Sequence, residues 1–180
     1  MRTNLPVTGK EVALRDDTLI VSKTDLKGRI TYINRDFLEI SGFSADELLG
    51  EPHNIVRHPD MPPEAFQDLW ETLKAGRPWT GYVKNRCKNG DHYWVLANAT
   101  PIWEGGAVAG YMSVRRKADP KVIEEVERIY RQFREKSQGN LRILRGAVVK
   151  GSEGLGGKVR DLSLVSKMNA VFGMLILFMV

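Results

Sequence analysis

From Trp79 to Lys117 apolar and polar residues alternate with a period of two, interrupted at Asn89-Gly90 and at Glu104-Gly-Gly106. Consecutive strands joined by turns this short must be antiparallel neighbours, so the stretch dictates a sheet to which the rest of the chain has to be fitted. Its first turn also fixes a register. A two-residue Asn89-Gly90 turn sets Asn85 opposite Trp94, whereas a three-residue Lys88-Asn-Gly90 loop with a left-handed glycine sets Asn85 opposite Tyr93. The hydrophobic pattern selects the second. One face then carries Trp79, Gly81, Val83, Asn85 and Cys87 against Tyr93, Val95, Ala97 and Ala99, and the other carries Thr80, Lys84, Arg86, His92 and Asn98.

The apolar face is oddly furnished. Gly81, Ala97 and Ala99 leave little volume in its middle, yet Trp79, Tyr93 and the lone amide of Asn85 point to the same side. Such a hollow is filled either by helix side chains or by a flat ligand. A buried amide without a partner costs about 1 to 3 kcal/mol, so Asn85 requires one from a helix or from that ligand.

Ahead of this sheet lie two short β-rich runs, Leu19 to Thr24 and Arg29 to Asn34, joined at Asp25-Leu-Lys-Gly28. Helical pieces follow. Phe37, Leu38 and Ile40 cluster before Gly42, Ser44-Ala-Asp-Glu47 is a capping box, and Met61 to Lys74 spaces Phe66, Leu69, Trp70 and Leu73 along one helix face. Two strands, short helices and three strands make an α+β layout around one five-stranded antiparallel sheet, with the helices on one face. Between the helices runs Asn54-Ile-Val-Arg-His-Pro-Asp-Met-Pro62. Its prolines hold a loop in shape, Asp60 is placed to cap the next helix, and Arg57 and His58 beside that helix start suit either an anion or plain solvation.

Charge and composition narrow the class. Residues 1–120 carry 16 basic and 16 acidic side chains, and residues 121–180 carry 11 and 6, so the basic surplus lies outside the sheet region and nucleic-acid binding is not expected. The single Cys87 allows no disulfide framework and no thiolate metal site, and the start Met-Arg-Thr-Asn-Leu-Pro has no secretory h-region. Residues 1–18 are a polar arm. Residues 118–138 form an amphipathic connector helix, with Val122, Ile123, Val126, Ile129, Tyr130 and Phe133 on the side that docks on a sheet or on a second copy. Residues 139–167 are a basic, Gly-rich linker. Met168 to Val180 is uncharged, too short for a span, and with Lys158, Arg160 and Lys167 ahead of it is expected to begin a transmembrane helix of a longer chain.

Asn34-Arg-Asp-Phe-Leu-Glu-Ile-Ser-Gly-Phe-Ser-Ala-Asp-Glu-Leu-Leu-Gly50 and Lys88-Asn-Gly-Asp-His-Tyr-Trp-Val95 together resemble the signatures of a PAS domain over residues 19–117. Asn54 to Pro62 combined with Gly76-Arg-Pro-Trp-Thr-Gly-Tyr-Val-Lys-Asn-Arg86 further resembles the sensor domains of bacterial aerotaxis receptors. That resemblance implies non-covalent FAD, redox or oxygen sensing rather than enzymatic turnover, a homodimer, a cytoplasmic domain anchored at the inner membrane, and output to chemotaxis proteins through regions beyond this chain. It implies that Arg57, His58 and Asp60 belong to the cofactor region, Trp70 and Trp79 form aromatic walls, and Asn34 and Asn85 are polar contacts near the flavin; reduction is then expected to change the hydrogen bond to Asn85. Tyr93, opposite Asn85 in the register above, joins them. The alternatives are a ligand-free dimerisation module, a haem sensor using His53, His58 or His92, a flavin oxidoreductase, for which a second nucleotide site and an acid/base pair are missing, and a light-oxygen-voltage photoreceptor. The photoreceptor's adduct-forming cysteine would fall near residue 53, where this chain has His53, and Cys87 lies on another element.

Overall fold

The computed structural model describes residues 4–151. Five strands, β1 (Ile20–Thr24), β2 (Ile30–Ile33), β3 (Trp79–Arg86), β4 (His92–Glu104) and β5 (Ala107–Lys117), form one antiparallel sheet in the order β2-β1-β5-β4-β3. Asn85 pairs with Tyr93 and Arg86 with His92, the register set by the longer turn, with Gly90 at φ 99°.

The inner face is roofed by α1 (Arg35–Ser41), α2 (Ala45–Leu48), a 3-10 turn (His53–Val56) and α3 (Pro63–Lys74). α1 stops where Gly42 turns left-handed, and Glu47 reaches back to the Ser44 amide at the start of α2. α3 begins at Pro63 with Pro62 as its N-cap, so Asp60 is not the cap expected from sequence. The fixed φ of two consecutive prolines starts this helix without a side-chain cap, and the Asp60 carboxylate is held instead by Lys84 at 2.8 Å. The loop before α3 keeps its shape because it zips onto the free edge of β3: Arg57 bridges Asn85, and the His58 amide donates to the Lys84 carbonyl.

The outer face differs most from expectation. Lys84, Arg86 and His92 do point away from the inner face, but they are buried, not solvated. α4 (Pro120–Arg134) lies over them and buries Val122, Val126, Ile129, Tyr130 and Phe133, each side chain contributing about 2 kcal/mol by removal from water. Lys84 is clamped between Asp60 and Glu127, both at 2.8 Å, and Arg134 donates to the Asp60 carbonyl. The N-terminal arm closes the other end: Arg86 donates to the Leu5 and Pro6 carbonyls, the Val12 amide donates to the His92 carbonyl and the His92 amide to the Lys10 carbonyl, and the Asn4 amide donates to the Asn54 and Arg57 carbonyls. Alternation along a strand shows which face a residue is on, but cannot reveal that an arm and a helix cover that face.

Tyr130 anchors α4 by donating its hydroxyl to the Tyr82 carbonyl at 2.9 Å. Tyr130→Phe is therefore expected to lower unfolding free energy by about 1 kcal/mol in denaturant melts, with no change in the strand amides' exchange pattern. An unchanged midpoint would show that the hydroxyl does not anchor the helix.

Where sequence gave a linker from residue 139, the structure has a two-stranded hairpin, β6 (Leu141–Leu144) and β7 (Ala147–Lys150), packed on α4 through Val148 against Ile129 and Phe133. The rest of that linker and the apolar run Met168–Val180 lie outside the described residues. Among the described residues no helix is long and apolar enough to cross a membrane.

Candidate functional site

The hollow read from Gly81, Ala97 and Ala99 is a real cavity of about 300 Å³ between the inner sheet face and the helices. α3 supplies Phe66, Leu69, Trp70 and Leu73, the sheet supplies Val83, Asn85, Ala97, Ala99 and Tyr111, and the 3-10 turn supplies His53 and Asn54. Trp70 is held edge-on against Tyr111, ring centres 5.5 Å apart. Two lining residues, Lys27 and Asn54, are exposed, which places the mouth between the β1–β2 turn and the 3-10 turn.

Of the eight residues singled out in the sequence, the cavity brings together Arg57, Trp70 and Asn85. Asn85 is 4% exposed, and its amide makes no hydrogen bond among the described residues. Arg57 stacks over the Phe66 ring at 3.9 Å and donates to the Met61 carbonyl, and burial pushes its pKa down to about 10, partly offset by Glu64.

The other five lie outside the lining. Asn34 caps α1: its oxygen accepts from the Val21 and Phe37 amides and its nitrogen donates to the Leu19 carbonyl. That pattern joins α1 to β1 and leaves nothing for a ligand. Trp79 lies over Gly81, where a Cβ would overlap the indole, and donates Nε1–H to Asp68 at 2.7 Å. Tyr93 is fully buried, its hydroxyl has no partner, and burial raises its pKa beyond the ordinary phenol range.

His58 and Asp60 belong to the α4 side. The Asp60 amide donates to His58 Nδ1, which is therefore unprotonated. Burial raises the Asp60 pKa, but hydrogen bonding and charge from Lys84 outweigh it and the net shift is downward. For His58, burial first and Lys84 second push the pKa down to about 4. The folded protein thus binds this proton more weakly than the unfolded chain. His58 supports stability fully above its ordinary pKa, and that support is lost as pH falls from about 6.5 toward 4, a swing of about 3 kcal/mol. Unfolding midpoints across that window are expected to fall less steeply for His58→Asn than for the parent. Identical slopes would remove His58 from the titration.

A second buried charge of the cavity, besides Arg57, stands outside those eight residues. Arg115, 4% exposed, donates through Nη2 to Ser22 Oγ at 2.7 Å and to His53 Nε2 at 2.6 Å, and stacks beside Phe37. Its Nη1 has no partner among the described residues, and no carboxylate is paired with it there. Burial lowers its pKa to about 10, against a small opposing effect of Tyr93, so it is cationic at neutral pH. Burial and Arg115 together hold His53 down to about 3, which makes the imidazole neutral with Nε2 as acceptor. The signal was present: Tyr111, Ser113 and Arg115 alternate along β5, and Arg115 pairs with Ala97 on the inner face.

This is a cavity with apolar walls, a buried guanidinium without an ion-pair partner among the described residues and a buried amide, set on the inner face of a five-stranded sheet. Residues 30–114 match the PAS fold family. That segment has the PAS fold. It is 49% identical over 158 residues to the aerotaxis receptor of Escherichia coli (strain K12), covering 88% of this chain and 31% of the receptor. It is 30% identical over 100 residues to the nitrogen fixation regulatory protein of Klebsiella pneumoniae, covering 55% of this chain and 20% of that protein. The chain thus spans less than a third of the receptor's length. Among solved structures, a light-oxygen-voltage domain described with a flavin analogue superposes with TM-score 0.54 at 22% identity, covering 61% of this chain and 83% of that one. The light state of the blue-light photoreceptor Aureochrome1 LOV superposes with TM-score 0.53 at 19% identity, covering 67% and 92%. Those two likenesses establish the fold alone.

Proposed function

We propose that this PAS domain is the sensing part of an aerotaxis-type receptor and that it holds FAD, without a covalent bond, in the cavity under α3. The observation that carries the reading is Arg115: a buried guanidinium with a free Nη1, facing a cavity and lacking an acidic partner, calls for an electron-rich polar ligand. The rest of the lining fits the same group. Apolar walls from Phe66, Leu69, Trp70 and Val83 suit a flat ring, and Asn85 can both donate to and accept from its polar edge. The cavity's volume is at the lower end for small-molecule sites, so it accommodates the ring, and the remainder of a dinucleotide would leave past Lys27 and Asn54. The relatives' names support the sensing context.

When bound, FAD supplies one- and two-electron redox chemistry. The chain's own residues do the rest. Arg115 keeps a fixed positive charge at the floor, with His53 held neutral beside it so that it does not compete. α3 excludes water. Asn85 reports any change in what it bonds, because its backbone bridges Arg57 and the next loop residues reach α4 through Asp60, Lys84, Glu127 and Arg134. A route of this kind needs two arrangements that differ by only a few kcal/mol. In this reading the domain is cytoplasmic, anchored by a following membrane segment, dimeric, and read out by chemotaxis proteins.

The test is the visible spectrum of the purified full chain. The reading expects the two-banded spectrum of oxidised flavin, FAD released on denaturation, and no steady oxidation of NADH. A Soret band would replace flavin with haem, NADH turnover would make the protein an enzyme, and a folded colourless protein that does not take up added FAD would sink the proposal.

A further inference from the structure

We infer that Asp68 is a latch through which the state of the pocket wall sets whether the β6–β7 hairpin is docked. Asp68 sits on α3 between the pocket residues Phe66 and Leu69 and is 8% exposed. Its carboxylate accepts three hydrogen bonds, from Trp79 Nε1 at 2.7 Å, from the Arg145 amide at 2.8 Å and from the Gly146 amide at 2.7 Å, and pairs with no cation among the described residues. Two successive backbone N–H groups converging on one anion are a nest, a motif that binds anionic groups. Here the anion is a side chain of the chain itself.

Arg145 and Gly146 have φ of 52° and 83°, as a two-residue hairpin turn between Leu144 and Ala147 requires, and their amides converge on the Asp68 carboxylate. A Cβ on Gly146 would overlap the Thr80 carbonyl oxygen, so the turn is pressed against the backbone of β3 beside Trp79 and Gly81. An isolated two-stranded hairpin is at best marginally stable, so this one depends on its docking. Its far end is where the described chain leaves the domain.

Occupancy of the cavity bears directly on α3 through Phe66, Leu69 and Trp70, and hence on the position of Asp68. An inward or outward shift of α3 changes the distance between one carboxylate and three donors that sit on β3 and on the hairpin. The latch therefore transmits the state of the pocket to the segment that continues toward the C-terminus. Its coupling to ligand rests on the flavin reading above, whereas the contact itself does not.

Hydrogen-exchange mass spectrometry on the full chain tests both parts. In the flavin-loaded protein, residues 141–150 are expected to be protected. Asp68→Asn, which turns an acceptor into a donor at the same size, is expected to speed their exchange about tenfold or more while leaving β4 and β5 unchanged. Should Asp68→Asn fail to fold, Gly146→Ala gives the same readout from outside the core. Removing the flavin from the parent protein is expected to speed hairpin exchange several-fold, and in Asp68→Asn that ligand dependence should vanish. Unchanged hairpin protection in both variants overturns the latch. Hairpin protection that is the same with and without bound flavin overturns the coupling. If no flavin binds at all, the functional reading fails separately: an Ala97→Leu chain, whose pocket is filled, then stands in for the occupied state, and equal hairpin exchange in it and the parent overturns the coupling.

Discussion

Arg115→Met is expected to reduce flavin affinity about a hundredfold or more and, at the same time, to leave the ligand-free protein as stable as the parent or more so. The two effects have opposite signs for one reason. Arg115 is buried beside a neutral imidazole and a hydroxyl, and no carboxylate among the described residues is paired with it. A buried charge without a counter-charge costs several kcal/mol, and an apolar side chain of similar length removes that cost. A charge-assisted hydrogen bond from its free Nη1 to a ligand contributes about 1.5 to 3 kcal/mol, which is one to two decades in affinity before the loss of electrostatic attraction is added. Arg115→Lys keeps the charge but not the forked geometry, so it should recover part of the affinity. Thermal melts with and without added FAD, together with flavin content after gel filtration, separate the two effects. Parental flavin content and an unchanged flavin spectrum in Arg115→Met would remove the residue from the site. A large loss of stability without ligand would instead make the guanidinium structural.

Local signals carried most of the fold. The period-two runs, the left-handed Gly90 and the pairing of Asn85 with Tyr93 needed only alternation and turn chemistry, and these are backbone properties that a single sequence expresses directly. The hollow was legible in part: Ala97 and Ala99 line the cavity, whereas the space above Gly81 is taken by the Trp79 indole. What could not be read were contacts between elements distant in sequence. Asn34 looked like a ligand contact until α1 and β1 were seen to share its amide, and Asp60 looked like a cap until Lys84 reached it from β3. The β6–β7 hairpin follows the same rule. Its Arg145-Gly146 turn lies in a basic stretch that resembles a linker, and only an acceptor 77 residues earlier in the chain gives that turn a place to dock.

Ala97→Leu should do the reverse of a cavity-creating mutation: it should abolish flavin binding while raising stability. Ala97 is buried at the centre of β4, opposite Gly81 on one side and Arg115 on the other, and it lines the cavity. A dry cavity of about 300 Å³ would cost as much as about 7 kcal/mol, comparable with the whole stability of a domain, so the hollow is either filled by a ligand or partly hydrated. The three added carbons of leucine bury apolar surface worth about 2 kcal/mol. Overpacking costs about 1 to 3 kcal/mol in a filled core, but here the space already exists, so the transfer gain wins. A flat ring and a leucine cannot share the floor beside Arg115, and flavin content is expected to fall below detection with the sheet intact by circular dichroism. The stability gain alone does not discriminate, because a vacant core defect would give it too. Flavin content does, and an Ala97→Leu protein that purifies with the parent's full complement of FAD would put the ring somewhere other than this cavity.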